Sequence, residues 1–334
     1  MSEFGDFGLE ADEELGNLLK SEKVNKSMKL AIGIDLGGTN MRVALVDYSG
    51  KILKSASEKT PVQSGPRKTM ERLAAMTKEL LGSDEALGVG VGSPGPLSRQ
   101  RRFIYESPNL PGFENFPLGE SLEKLSGLPV WLDGDAKCAT YGEWCFGAAT
   151  RMKNFILLTF GTGVGGGIIS EARMIYGQKD GAGELGHLTL YPDGRPCNCG
   201  NLGCLEQYLS AVALSRRGGE ALGRVTNPQE IFESFAKHEE WAQLTLKSFA
   251  RDIAIALASL ANIFNPEAFV LGGGIFSTGG GPLVSLIEGE MKDRCFASTL
   301  EGLKILPSAL AGNAGVLGAA SLVFRAFEPD PHQS

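Results

Sequence analysis

The densest group of reactive side chains lies between Gly183 and Glu206. Gly183-Glu184-Leu185-Gly186-His187 is followed by Cys197-Asn198-Cys199-Gly200-Asn201-Leu202-Gly203-Cys204-Leu205-Glu206. One of three histidines and three of six cysteines fall in this stretch. Imidazole and thiolate are preferred ligands of Zn²⁺, and one His with three Cys fills a tetrahedral shell. A full shell leaves no place for water. The zinc expected at His187, Cys197, Cys199 and Cys204 is therefore structural rather than hydrolytic. A disulfide staple is the competing reading. Cys197 and Cys199 are poor partners because side chains two apart diverge, and nothing else in the chain suggests an oxidising compartment. Glu184 precedes His187 by three residues and Glu206 follows Cys204 by two. A metal that folds this segment would gather Glu184, His187 and Glu206 around one spot.

Glycine supplies the second kind of chemistry. The chain has 45, many of them grouped after apolar runs. Glycine permits the close backbone approach and positive φ that turn several N–H groups toward one anion. Asp35-Leu36-Gly37-Gly38-Thr39 sets a carboxylate beside such a turn. Asp35 could hold Mg²⁺ or its water while Gly37, Gly38 and Thr39 hold phosphate. Gly161-Thr162-Gly163 offers a second anion turn. A lone Gly corner is ordinarily only a tight hairpin, but two at matching places favour phosphate. There is no P-loop ending in Gly-Lys-Ser/Thr, and Gly161 to Gly167 leads into a strand rather than a helix, so a dinucleotide fingerprint is absent.

The elements that must position these groups alternate in kind. Leu30 to Ile34, Met41 to Asp47 and Ile52 to Ala56 read as a three-strand meander. Pro66 to Leu81 reads as a helix, Leu87 to Val91 as a strand, Leu118 to Leu125 as a helix, Val130 to Leu132 as a strand and Ala136 to Phe146 as a helix. The pattern then restarts. Asn154 to Phe160 is a strand, and Ile168-Ile169 begins the next. Helices are expected over Ala211 to Leu222, Pro228 to Lys237, Trp241 to Phe264, Pro282 to Arg294 and Ala314 to Phe327, with strands at Ala268 to Leu271 and Leu303 to Leu306. Two such openings imply a duplicated α/β unit with a ligand cleft between its halves.

These motifs together resemble the ROK family (repressors, open reading frames and sugar kinases). The resemblance rests on Asp35-Leu36-Gly37-Gly38-Thr39, Gly161-Thr162-Gly163-x-Gly165-Gly166-Gly167, Glu184-x-x-His187 and Cys197-x-Cys199-Gly200-x-x-Gly203-Cys204-x-Glu206. It runs from about Leu30 to Phe327. It implies an actin-like, ribonuclease H-like ATPase fold, with two α/β domains closing over a hexose and ATP–Mg²⁺. The expected divisions are an N-terminal extension at 1–28, a first domain at 29–148, a second at 149–328 and a tail at 329–334. Within the family the chain is most similar to bacterial glucokinases. Kinases of N-acetylglucosamine, N-acetylmannosamine, mannose or fructose are the alternatives. A homodimer is the family's implied assembly, with a higher homo-oligomer as the alternative.

By sequence alone Asp133 and Asp135 compete for the role of base, and either could simply cap the helix that follows. The family match assigns the role to Asp135, which would take the proton of the sugar's 6-hydroxyl. It assigns sugar contacts to Glu184, His187 and Glu206. It also places Ser93, Gly95 and Asn109 in loops bordering the sugar, and sets Gly272, Gly273 and Gly274 behind the adenosine. The chain departs from the family at one point. An Asn that binds sugar hydroxyls usually precedes the catalytic Asp, and here that position is Gly134. Its contact would fall to Asp133, Asn109 or water. One neutral hydrogen bond is worth ~0.5–1.5 kcal/mol, so the departure bears on affinity and specificity rather than on the chemistry.

Composition narrows the classes. A formal net charge of −7 argues against nucleic acid as the main partner. No apolar run approaches the ~20 residues that cross a bilayer. Met1 to Ser27 lacks the basic-then-apolar order of a signal peptide and reads as a loose extension, so a cytoplasmic protein is expected. A sugar-responsive repressor would need a DNA-binding domain of ~60–80 residues ahead of the first strand, and the short acidic segment there has no basic recognition helix. A sugar-binding protein with decayed catalysis is the remaining alternative, and the retained Asp135 argues against it. His238 and His332 read as uninvolved, and Cys138, Cys145 and Cys295 as packed thiols.

Overall fold

A computed structural model of the chain describes residues 29–107 and 109–327. The expected extension and tail, Pro108 and His332 lie outside the described residues. In chain order the elements are β1 (Leu30–Leu36), β2 (Asn40–Asp47), β3 (Ile52–Lys59), α1 (Gly65–Leu81), β4 (Val89–Ser93), β5 (Leu97–Ser98), β6 (Phe103–Ile104), α2 (Leu118–Ser126), β7 (Val130–Gly134) and α3 (Asp135–Phe146). There follow β8 (Phe155–Phe160), β9 (Val164–Ser170), β10 (Arg173–Met174), α4 (Glu206–Leu209), α5 (Ala211–Leu222), α6 (Pro228–Ala236), α7 (Glu240–Phe264), β11 (Ala268–Gly272), α8 (Gly274–Met291), α9 (Ala297–Leu300), β12 (Lys304–Pro307) and α10 (Ala314–Phe327).

The duplication is visible in the sheets. One runs β3-β2-β1-β4-β7 and the other β10-β9-β8-β11-β12. In each, an antiparallel meander is extended by two parallel strands. The central strands are apolar along most of their length because both faces are covered. β4 and β11 are buried at every residue. At the edge, β3 leaves Lys54, Ser55, Ser57 and Lys59 exposed. Catalytic candidates therefore sit at the C-terminal ends of buried strands, where chain direction changes and backbone groups face the cleft.

Three features depart from the sequence reading. β9 begins at Val164 rather than Ile168, so Gly165, Gly166 and Gly167 are strand residues. They are glycine because the strand is pressed against its neighbours. An added Cβ would lie 2.7 Å from Ala136 Cβ, 2.5 Å from Leu185 Cδ1 and 2.1 Å from Thr140 Oγ1 respectively. Second, α8 starts at Gly274, directly off the Gly turn, and contains both Pro282 and a non-helical Gly279. The backbone breaks at Gly279 (φ −159°, ψ 28°), so two helical segments meet there at a kink. The second is the helix expected from Pro282, and the first is an added one that buries Ile275 and Phe276 in the core. Third, α10 packs mainly on the first sheet, although Ala314, Ala319 and Leu322 also join a core cluster with Phe155, Leu157 and Val270 of the second. Val316, Ala320 and Val323 share a core cluster with Ala31, Ala44 and Val46 of the first sheet. Its backbone approaches so closely that a Cβ on Gly33 or Gly90 would fall 2.0 Å from Val316 O or 1.8 Å from Ala319 O. A unit drawn as 149–328 thus separates this helix from its main packing partners.

Candidate active site and metal centre

A cleft of about 1080 Å³ opens between the two sheets. That is at the upper end for small-molecule sites and has room for two ligands. Its wall includes Gly37, Gly38 and Thr39 from the β1–β2 turn and Gly161, Thr162 and Gly163 from the β8–β9 turn. Ser93, Gly95, Asn109, Asp135, Glu184, His187, Glu206 and Gly273 also line it. A smaller cavity of about 210 Å³ adjoins it at Asp135 and is lined by Asp35, Gly272, Gly273 and Gly315. Of the expected ligand contacts, Gly274 alone lines neither cavity, because it is already the first residue of α8.

Asp133 and Asp135 separate clearly. Asp133 ends β7 with its side chain turned inward and is only 1 % exposed. Its Oδ2 accepts the Tyr176 hydroxyl at 2.6 Å and lies 3.2 Å from Arg99 Nε, and its Oδ1 accepts the Gly134 N–H at 2.8 Å. Arg99 also stacks over the Tyr176 ring, 3.6 Å from its centroid. Burial raises the Asp133 carboxyl, against the pull of Arg99 and Tyr176. Asp133 is thus spent on structure and does not line the cleft, so it cannot replace the side chain missing at Gly134. Asp135 opens α3 and faces the cleft. Gly134, not Asp135, is the N-cap.

The Asp135 carboxylate stands at a helix N-terminus, where the Ala136 N–H donates to it at 2.7 Å. Its side chain reaches cleft solvent, but dense protein surrounds it. That desolvation raises its carboxyl above the ordinary value, opposed by the Ala136 N–H and reinforced by the charge of Glu184. Asp35 is pushed up to about 6, first by burial and then by the charge of Asp135, while Arg42 pulls the other way. Asp135 thus raises Asp35 and Glu184 raises Asp135, and carboxylates gathered in this way favour a cation.

The Gly turns are held by short backbone bonds. Gly37 N–H donates to Asn40 O at 2.9 Å, and Thr60 donates its hydroxyl to Gly37 O at 2.6 Å. Gly161 N–H donates to Gly163 O at 2.9 Å. Gly38 must be glycine, since a Cβ there would stand 2.3 Å from Asn109 O. Ser93 is fully buried at the end of β4, its hydroxyl near Pro94 O at 3.4 Å.

The cysteine segment forms the expected cluster. The ligand atoms of His187, Cys197, Cys199 and Cys204 lie within 4.8 Å of one another. His187 Nδ1 is 3.7 Å from Cys197 Sγ, and Cys199 Sγ is 3.6 Å from Cys204 Sγ. Thiolates on a tetrahedral zinc with bonds of ~2.3 Å stand ~3.8 Å apart, so the donor set fits that ion. The Asn201 backbone holds the Cys199 thiol below its ordinary value, whereas burial and neighbouring thiols push Cys204 up to about 12. Sulfurs this close need a cation to ionise together. Since Nδ1 faces the sulfurs, Nε2 is the ring atom free for the cleft, which His187 lines. Gly203, at φ +72°, has no room for a Cβ, which would meet Tyr191 O at 1.6 Å.

Lys137 is the residue that sequence reasoning missed. It lies on the first turn of α3, its side chain 7 % exposed, and it lines the cleft beside Asp135 and Glu184. Its nearness to Asp135, two residues before it, is the one sequence hint, and it does not say which way the side chain points, since a lysine in a helix is usually a solvated one.

The chain belongs to the ROK family, whose model matches residues 31–326. It is 35% identical over 307 residues to a glucokinase of Thermotoga maritima, covering 87% of this chain and 96% of that one. A ROK family glucokinase from Streptomyces griseus, solved in complex with glucose and AMPPNP, shares its fold with a TM-score of 0.78 at 30% identity, over 88% of this chain and 98% of that one. A xylose repressor of Caldicellulosiruptor bescii is more distant, at 29% identity over 90% of this chain and 79% of its own length. The actin-like ATPase fold and the sugar-kinase class follow from these likenesses and the paired sheets together.

Proposed function

We propose that the protein transfers the γ-phosphoryl group of ATP to the 6-hydroxyl of glucose, giving glucose 6-phosphate and ADP. The observation that carries this reading is the convergence of Asp135, both Gly turns and the Glu184–His187–Glu206 group on one cleft. Asp135 takes the hydroxyl proton and aims the oxygen at phosphorus. Its raised carboxyl makes it a better base than an ordinary Asp, and positioned bases contribute ~10²–10⁴-fold. In a loose transition state the proton leaves late, so aim matters as much as basicity.

Glu184, Glu206 and His187 Nε2 bind sugar hydroxyls, with Ser93, Gly95 and Asn109 bordering them. Carboxylates suit vicinal hydroxyls because each oxygen accepts one donor. The Gly37–Thr39 and Gly161–Gly163 turns hold the ATP phosphates through the N–H groups of Gly38, Thr39, Thr162 and Gly163, those of Gly37 and Gly161 being used to close the turns, and Gly272 and Gly273 back the adenosine. Mg²⁺ accompanies ATP and neutralises its charge, with Asp35 as its support. Zinc in the His187–Cys197–Cys199–Cys204 cluster fixes the imidazole and the two glutamates. A cytoplasmic location, where ATP is made, fits these substrates. Among the described residues no helix is long and apolar enough to cross a membrane. We also propose the family's homodimer, which light scattering on the purified protein would test.

The deciding experiment is a coupled ADP-release assay with ATP–Mg²⁺ across glucose, mannose, fructose, N-acetylglucosamine and N-acetylmannosamine. Turnover strongest on glucose is the expected result. Preference for another of the five moves the function to that kinase. Silence on all five overturns the kinase reading.

A further inference from the structure

The Lys137 side chain runs between two glycines. An added Cβ on Gly134 would lie 3.9 Å from Lys137 Cγ and Nζ, and one on Gly183 would lie 4.0 Å from Lys137 Cε. The ammonium makes no hydrogen bond among the described residues, and its nearest ionic partner, Glu184 Oε1, is 3.8 Å away. Asp133 and Asp135 act on it only at a distance. A largely buried ammonium without an acceptor is costly, because its lost water is not replaced. This one lines the cleft next to the carboxylate proposed to activate the sugar.

Resting on the reading of the cleft as a sugar site, we propose that Lys137 is a substrate-contacting specificity residue whose ammonium fills the volume left open by Gly134 and donates to one sugar hydroxyl. An ammonium has three donors and no acceptor, so it selects an oxygen that can accept. Glu184, which only accepts when ionised, stands across from it. A hydroxyl placed between them accepts from Lys137 and donates to Glu184, and both groups are satisfied at once. Charge balance of Asp133, Asp135 and Glu184 alone would not require the ammonium to stand on the cleft wall.

The test is a cycle between enzyme and sugar. Wild type, Lys137→Met and Lys137→Arg are assayed for kcat/KM with glucose and with 2-, 3- and 4-deoxyglucose. With wild type, one deoxy sugar should lose about tenfold or more, the size expected for a hydrogen bond to a charged group. With Lys137→Met that particular loss should shrink to about threefold or less, while KM for ATP stays within about twofold. Lys137→Arg, which keeps donors and charge, should retain part of the discrimination. If Lys137→Met does not fold, Lys137→Gln carries the same cycle. Equal losses on every sugar would reduce Lys137 to a charge balancer, and no loss at all would remove it from the site; either overturns the inference with the kinase intact. A wild type silent on all sugars overturns the kinase reading and this inference with it.

Discussion

Glu206 Oε2 accepts the backbone N–H of Val164 at 2.9 Å. A residue proposed to hold sugar is thereby bonded to the residue that follows the second phosphate turn. The neighbouring Gly163 has no room for a Cβ, which would stand 2.3 Å from the same Glu206 oxygen. Gly163→Ala should displace the carboxylate and the turn together. KM for sugar and KM for ATP are expected to rise in parallel, each on the order of tenfold, as for a lost charge-assisted bond. Initial rates over both substrates check this; a change confined to one substrate would show that the two sites are uncoupled.

The two acids of the β7–α3 junction should fail in different ways. Asp135→Ala is expected to lower kcat by about 10²–10⁴ and to leave the melting temperature nearly unchanged. Glucose binding followed by calorimetry should persist. Asp133→Ala leaves Arg99 and Tyr176 without their shared acceptor, at a cost of about 1–3 kcal/mol in stability. Denaturant unfolding of both variants separates the roles, and a stable Asp133→Ala with lost turnover would reverse them.

The metal centre makes its own prediction. Cys204→Ser replaces a fully buried thiol of the cluster. Zinc content by atomic absorption and the unfolding midpoint should fall together, and sugar affinity with them. Prolonged chelation of the wild type should reproduce the loss, reversed by adding zinc. A metal-free variant with full activity would dismiss zinc from the site.

Asp35 gives a pH dependence whose sign is fixed. Its folded value of about 6 lies above the ordinary 3.8. Between those values the folded protein holds a proton that the unfolded chain has released. Stability from this group is therefore full below the lower value and is lost as pH rises toward about 6. Asp35→Asn should flatten this part of the profile and be more stable than wild type at neutral pH without nucleotide. Urea midpoints at several pH values test it. The same variant should bind ATP–Mg²⁺ more weakly, since the carboxylate kept for function is a cost to the fold.

Much of this architecture could be read from local pattern. The apolar runs of β1, β4, β8 and β11 and the glycines after them announce both halves, and residue types at fixed spacing announce the metal cluster. What escaped depends on distant partners. Gly165 to Gly167 look like a loop until Ala136, Thr140 and Leu185 are seen to press on them. The helical segment from Gly274 up to the break at Gly279 escaped because it is held by burial of Ile275 and Phe276 and not by a local pattern. Asp133 and Asp135 are alike in local pattern; the family match favours Asp135, and the physical difference lies in Arg99 and Tyr176, which reach Asp133 from other elements. Lys137 escaped because nothing local says that a helical lysine points into a cleft.

The placement of α10 has a consequence for biosynthesis. The first sheet carries one face of its core on Val316, Ala320 and Val323, residues translated after the whole of the second unit. During synthesis β1 and β4 therefore emerge with that face bare, and the second sheet is ready to fold sooner than the first is complete. Domains usually fold in the order they leave the ribosome. Here the first sheet gains the cover of its second face only when Ala314–Phe327 has been made, so the first half is completed last.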